Sequence, residues 1–480
     1  MRLRCSWAVV LLLILPWASW AQESDTPVGV DLDETLILEP DVDAPSETAE
    51  VGQAEVEADS LQSTSRRRQW KYLLRMEATT LTLLPRHGVG EDEGFFQVEP
   101  TFVADGGPKL GFNLGAPVRL RLWGGVEGAS LVRKEDWDTL SDWGQWVRFF
   151  RLGNESSPVA LWGGALDNYS LLSGHLVRHY VNRGSPDYHP AGAVLTATGG
   201  PLYLEAFTSD VLGARLMGGE VALDVQHVLA GRPRQPGRYT LALSAVQDWG
   251  RAGGTSKPVT LAHVDGTAVV VVRRGPGGAL DAQAFAGWGG RTGERSAWGA
   301  VAGLGVDALS ATLDMRARLE ARRQHGGFRQ GYFGPDYELA RFQAAGISGL
   351  PLADASFPDG YSAYGELLLG WDAVNLGEVV QRHLHVMLGV EAFSWGRVDA
   401  DGRLGLQLFH RNLEVSLRGL AVGARQPGTR YLAAGEVRWR FLGGRLYTLG
   451  QGGTLLYPTP EGTLRPGGFV AVSMGVDNAR

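Results

Sequence analysis

The chain has almost no cysteine. Cys5 is the single one in 480 residues, and it falls inside an N-terminal segment expected to be removed. The remainder is therefore expected to contain no disulfide and no thiolate metal site. Long apolar runs are also missing. No segment approaches the roughly 18 uninterrupted apolar residues of a membrane helix, so no inner-membrane span is expected. No phosphate-binding Walker loop, dinucleotide fingerprint or HExxH pair is present, which removes the commonest nucleotide and zinc-hydrolase chemistries. Between residues 22 and 65 there is neither a Lys or Arg nor an aromatic side chain, against 13 Asp and Glu.

The start of the chain reads as a secretory leader. Arg2 and Arg4 supply a positive n-region, residues 7–17 a short apolar run, and Ser19-Trp-Ala21 a small-x-small cleavage site. Residues 1–21 are thus the expected signal peptide. Residues 22–69 then lack the apolar surface needed to offset chain entropy, and they read as a disordered acidic segment. Arg66-Arg-Arg68 closes it and Trp70 opens the rest. The net charge of −7 therefore combines an acidic tail with a slightly basic body.

From residue 70 onward one pattern recurs. In 313–322, Leu313, Met315, Ala317, Leu319 and Ala321 alternate with Asp314, Arg316, Arg318, Glu320 and Arg322. Successive side chains of a strand point to opposite faces, so this segment has one apolar and one ionic face. The same dyad sets Arg75 and Glu77 against Leu74, Met76 and Ala78, and Arg119 and Arg121 against Val118, Leu120 and Leu122. His383, His385 and Glu391 oppose Leu384, Val386, Leu388, Val390 and Ala392. Glu414, Ser416 and Arg418 oppose Leu413, Val415 and Leu417, while Glu436, Arg438 and Arg440 oppose Val437, Trp439 and Phe441. Repeated segments of this kind, separated by turn residues, are the signature of a membrane barrel.

The fold expected is all-β, a transmembrane antiparallel β-barrel over residues 70–480. Its length gives about 18 strands, within 16–20, at roughly 22 residues per strand and connection. The charged set, Arg75 through Arg440, is expected to line the lumen. Trp123, Trp249, Trp371 and Trp395 fall at expected strand ends, where interfacial girdles place aromatics. One stretch, 134–151, breaks the strand rhythm. Thr139 and Asp142 stand at capping-box spacing, and Trp143, Trp146, Val147 and Phe150 at helical spacing. A short amphipathic helix is expected there, folded into the lumen or packed on the rim.

His175, His179, Asp187 and His189 crowd one region. Such a set offers a divalent-metal site or a base for hydrolysis, but no known ligand spacing is met, and polar lumen or loop residues are the simpler reading. His383 and His385 share a face and read as lumen lining. No catalytic residue, metal ligand or cofactor is expected. Nucleic-acid binding is not expected either, because the arginine faces lack interleaved stacking aromatics.

The alternating body resembles Gram-negative outer-membrane β-barrel proteins of the porin type. The segments 326–342 and 175–182 further resemble large, functionally unassigned barrels of myxobacterium-like bacteria. The end of the chain, Val476-Asp-Asn-Ala-Arg480, departs from the terminal aromatic of such barrels, so that either the insertion signal is internal, near 469–476, or the last residues trail into the periplasm. The resemblance implies an outer-membrane location, contact with outer-membrane lipid and with the barrel-insertion machinery, and no enzymatic activity. A channel for small, weakly anion-favoured solutes is the expected function, since arginines in a pore favour anions. A non-conducting scaffold or the barrel subunit of an export or motility machine, with the acidic segment meeting a periplasmic partner, is the alternative. A barrel hydrolase using the histidine region is the third.

Overall fold

A computed structural model describes residues 71–477, except 85–92, 108, 125–127, 155–156, 186, 232–238, 250–257, 276, 294–296, 343, 346–349, 352–356, 373–382, 410–411, 427–428 and 459–463. The expected leader and acidic segment lie outside the described residues. The strands pair antiparallel around a single sheet. The first, Lys71–Leu84, pairs with both the second, Glu93–Asp105, and the last, Leu464–Asp477. That seam, running from Arg75 opposite Asp477 to Leu84 opposite Gly468, closes the barrel.

Leu110–Gly115 and Val118–Trp123 are two halves of one stave. Both pair with Glu93–Asp105 and are interrupted only at Ala116-Pro117, where proline removes a ladder donor. Counted this way the barrel has 20 strands, the upper limit of the expected range. The count exceeds 18 because several staves are short, Val147–Leu152 and Val159–Gly164 being 6 residues each.

Alternation dictates what the outer face carries. On the last strand Val470, Val472, Met474 and Val476 are exposed, while Ala471 and Ser473 between them are buried. On Leu313–His325, Leu319 is 52% exposed and its neighbour Glu320 only 4%. Trp123 and Trp249 mark strand ends at the rim of long connections. Trp371 and Trp439 lie near the opposite rim of tight turns, where 310–312 and 442–445 reverse the chain.

The connections differ accordingly. One end of the barrel carries long ones, 124–146, 165–191 and 326–359. The expected helix in the first takes a tighter form. Leu140–Trp146 is a 3-10 helix preceded by the short turn Lys134–Asp136. The capping pair forms as spaced, with the Thr139 amide donating to Asp142 Oδ2 at 3.0 Å. Val147 and Phe150 do not continue the helix; they belong to the strand Val147–Leu152. Their apolar spacing suits either element, and sheet pairing with Leu110–Gly115 decides for the strand.

Candidate functional site

The two other long connections fold inward and meet. Residues 175–178 run beside 331–333: Gly331 N donates to His175 O (2.7 Å), Phe333 N to Leu176 O (3.1 Å) and Arg178 N to Phe333 O (3.1 Å). Val177 and Phe333 form a parallel bridge. The segments 175–182 and 326–342, far apart in sequence, are thus one structural unit. Leu166, Leu171, Leu176, Val177, Tyr180, Phe328, Tyr332 and Phe333 of these connections pack with Val194, Phe207, Leu216, Val246, Val259 and Leu261 of the wall in one buried apolar cluster. Burial of such side chains contributes about 1.5–3 kcal/mol each, so the unit is a packed plug rather than a solvated loop. Its base is fixed by Asn182, fully buried, whose Oδ1 accepts from Leu166 N (2.9 Å) and whose Nδ2 donates to Ser209 O (2.8 Å).

Opposite the apolar wall the plug is held by charge. Arg178 pairs with Glu320 (2.9 Å) and stacks on Tyr364 with its guanidinium carbon 4.4 Å from the ring centre. Glu320, whose side chain is wholly buried, also pairs with Arg318 and, at 2.6 Å, with Arg322. Arg322 reaches Glu391 at 2.8 Å and also stacks on Tyr364, its guanidinium carbon 4.2 Å from the ring centre. Ser362 Oγ donates to Glu391 Oε1 at 2.6 Å. Arg318 donates to Ser173 O of the plug (2.7 Å). His179 sits at a left-handed φ of +50°, its Nδ1 2.7 Å from Asp401 Oδ2 and its Nε2 3.4 Å from Glu366. Further down, Arg403 holds Asp167 through two hydrogen bonds of 2.6 and 2.8 Å.

A second ionic knot anchors the first long connection. Asp136, fully buried, takes Arg119 at 2.7 Å and also Arg133, which in turn binds Asp187. Burial alone would raise the Asp136 pKa, but Arg119, His189 and Arg133 hold it well below the usual carboxylate range. His189 lies 3.6 Å from it. Burial lowers the His189 pKa below its ordinary value even beside that carboxylate. Arg121 pairs with Glu93 at 2.8 Å and stacks on Phe95.

These contacts disperse the histidine region. His175 turns to one wall, His179 to Asp401 on the other, and Asp187 and His189 to the Arg133–Asp136 knot. The four residues are not brought together into one site.

One of the cavities beside the plug, of about 890 Å³, lies on the charged side. Arg316, Arg403, Arg418, Asp167, Asp314, Glu436 and His385 are among its lining residues, three arginines against three acids. Arg316 reaches Asp307 at 2.8 Å, with its side chain 65% exposed. Glu436 accepts from Arg438 (3.0 Å) and Gln451 (3.1 Å), Arg440 and Arg438 approach Glu414 at 3.6 and 3.5 Å, and Tyr447 donates to Glu77 at 2.5 Å. The side chains of Arg75 and His383 lie outside what the structure describes. Their backbones pair within the sheet, Arg75 with Thr101 and His383 with Gln407.

Sequence reasoning missed the plug and the wall it covers. Phe207, Leu216, Val246 and Leu261 occupy the face that carries charge on other strands. A signal was available: strands such as 192–199 and 239–246 are nearly uncharged on both faces. A strand between lipid and a packed plug has no wet side.

The chain is similar to several solved structures. One is a BenF-like porin from Pseudomonas fluorescens Pf-5, with 10% identity over 85% of this chain and 99% of that chain and a TM-score of 0.35. Another is OccK2 (OpdF) of Pseudomonas aeruginosa in complex with glucuronate, at 13% identity, 85% and 98% coverage and a TM-score of 0.34. A third is OccAB4 of Acinetobacter baumannii, at 9% identity, 87% and 100% coverage and a TM-score of 0.34. No protein-family model and no curated protein matches the chain.

Proposed function

We propose that the protein is an outer-membrane channel whose conduit is the eccentric cavity between the plug and the charged wall. The observation that carries this reading is the 890 Å³ space inside a closed barrel with an apolar outer face. A closed sheet satisfies its own backbone groups and is stable in hydrocarbon. The charged residues named from the alternation line the interior in this reading. Their signs cancel around the cavity, three arginines against three acids, so selectivity is weak, and the excess of arginine over acid along the inward faces as a whole tilts it toward anions. Small polar or anionic solutes are the expected cargo. Lipid and the insertion machinery are the partners this reading requires.

A second reading is a non-conducting scaffold or the barrel subunit of an export or motility machine. The apolar packing between plug and wall favours it, because a plug held by a dry cluster does not swing aside easily. Reconstitution in planar bilayers separates the two. A channel gives steps whose reversal potential in a salt gradient shifts modestly toward that of the anion. Asp167→Ala, which releases the lower end of the plug from Arg403, increases step size or flicker. Absence of conductance in both proteins supports the scaffold.

A further inference from the structure

We propose that His175, His263 and Asp265 form a binding site for a divalent transition-metal ion that pins the plug to the barrel wall. His175 comes from the inward connection, and His263 and Asp265 from the strand Val259–Gly275. All three are buried, and one ligand atom from each lies within 4.8 Å of the others. The two imidazole rings stand 4.5 Å apart, centre to centre.

Two of the polar atoms here have no hydrogen-bond partner. His263 Nδ1 and Asp265 Oδ2 are buried without a hydrogen bond, 3.5 Å from each other. Two bare acceptors facing one another in a dry interior are costly unless a proton or a cation lies between them. The other ring nitrogen of His263 is 3.1 Å from the side-chain amide of Gln330, whose Oε1 has no partner. An amide fits either way round. Turned so that Oε1 accepts from Nε2–H, Gln330 fixes the tautomer that leaves the Nδ1 lone pair free for a metal. That is the usual outer support of a ligating histidine.

The wall also makes room for the ring. A Cβ on Gly287 would lie 2.4 Å from His263 Cε1, and one on Gly289 2.7 Å from His263 Cδ2. On the plug side, Glu220 accepts from the Ser173 amide at 3.1 Å and from its hydroxyl at 3.0 Å, fixing the turn that delivers His175. Arg318 lies 3.3 Å from His175, and Glu320 balances its charge.

Two imidazoles and one carboxylate suit zinc, cobalt, nickel or copper rather than magnesium or calcium. Tetrahedral ligands on zinc stand roughly 3.4 Å apart, so the widest separation closes by up to about 1.4 Å on binding. A water completes the coordination.

The test uses the full chain, purified without a polyhistidine tag and stripped with chelator. Cobalt is titrated in and its visible ligand-field absorption followed, with zinc as competitor. One cobalt per chain is expected, displaced by zinc. His263→Gln and the nearly isosteric Asp265→Asn are expected to weaken binding at least tenfold, and His179→Gln and His189→Gln to leave it unchanged. Zinc is expected to raise the melting temperature of the unmodified chain and not of Asp265→Asn. Failure of the unmodified chain to bind either ion, or equal binding by the folded His263→Gln and Asp265→Asn variants, overturns the proposal.

Discussion

Three guanidinium groups converge on Glu320, and this decides which single change damages the plug most. Replacing Arg178 by Ala removes one of three cations from that carboxylate, and Arg318 and Arg322 still neutralise it. Replacing Glu320 by Gln leaves the three cations, Arg178 and Arg322 of them buried, without their shared anion, and removing one member of a buried pair costs about 3–5 kcal/mol. Glu320→Gln is therefore expected to loosen the plug more than Arg178→Ala. Limited proteolysis within 165–191 of the detergent-solubilised protein reads this directly, and equal protection in both variants would contradict the shared-anion role. The exposed Arg403–Asp167 pair is a different case. Partly solvated pairs contribute about 1 kcal/mol or less, so its loss is expected to alter gating without lowering the melting temperature.

Acidity acts on the same residues with a definite sign. Burial holds the His189 pKa below its ordinary 6.5, so the unfolded connection binds a proton before the folded one does. The contribution of a neutral His189 is complete above about pH 6.5 and declines as pH falls below it. Asp136 has a depressed pKa despite its burial, so its contribution persists until pH drops below about 4 and is then lost. The connection 128–146 is expected to open in two stages, the first near pH 6 and the second below pH 4. Hydrogen exchange of that connection as a function of pH shows both; the first stage should vanish in His189→Gln.

Among the elements, the strand Leu313–His325 shows how far an alternation can be trusted. Its period of two separates Leu319 from Glu320, and pairing with Trp298–Leu309 and Gly360–Asp372 fixes the register. A one-residue slip would turn four or five charges into hydrocarbon. Cysteine placed at 317 is expected to react with a lipid-phase reagent and cysteine at 318 not to. Leu319→Arg is expected to cost about 2–4 kcal/mol if it lies near the bilayer midplane, measurable by urea titration in lipid vesicles. The partners of Arg318, by contrast, were hidden from the sequence. Local periodicity reports which face a residue takes. It does not report that Ser173 and His175, which lie more than a hundred positions away, arrive beside it. The capping pair Thr139–Asp142 was legible because it is local. Where the helix gives way to a strand at Val147 was not, because a neighbouring strand decides it. The His175–His263–Asp265 constellation belongs to the same hidden class.

At the scale of the whole molecule, the plug divides the interior into a dry half and a wet half. Deleting residues 166–190 is expected to raise conductance several-fold. It is also expected to lower thermal stability, since Phe207, Leu216, Val246 and Leu261 would then face water. An unchanged conductance would mean that the plug does not limit the path. The acidic segment 22–69 lies outside the described residues, and deletion of 22–65 with conductance as readout tests whether it enters the conduit.

The bridge between Val177 and Phe333 also sets an order of assembly. All the strands between the two connections must be laid down before those residues can meet, and closing so long a loop early carries an entropic cost that no local contact returns. Until then the two halves of the plug are not packed on each other. Plug docking is therefore a late step, distinct in time from insertion of the sheet. The newly inserted barrel would pass through a wider, leakier and protease-sensitive stage before it matures.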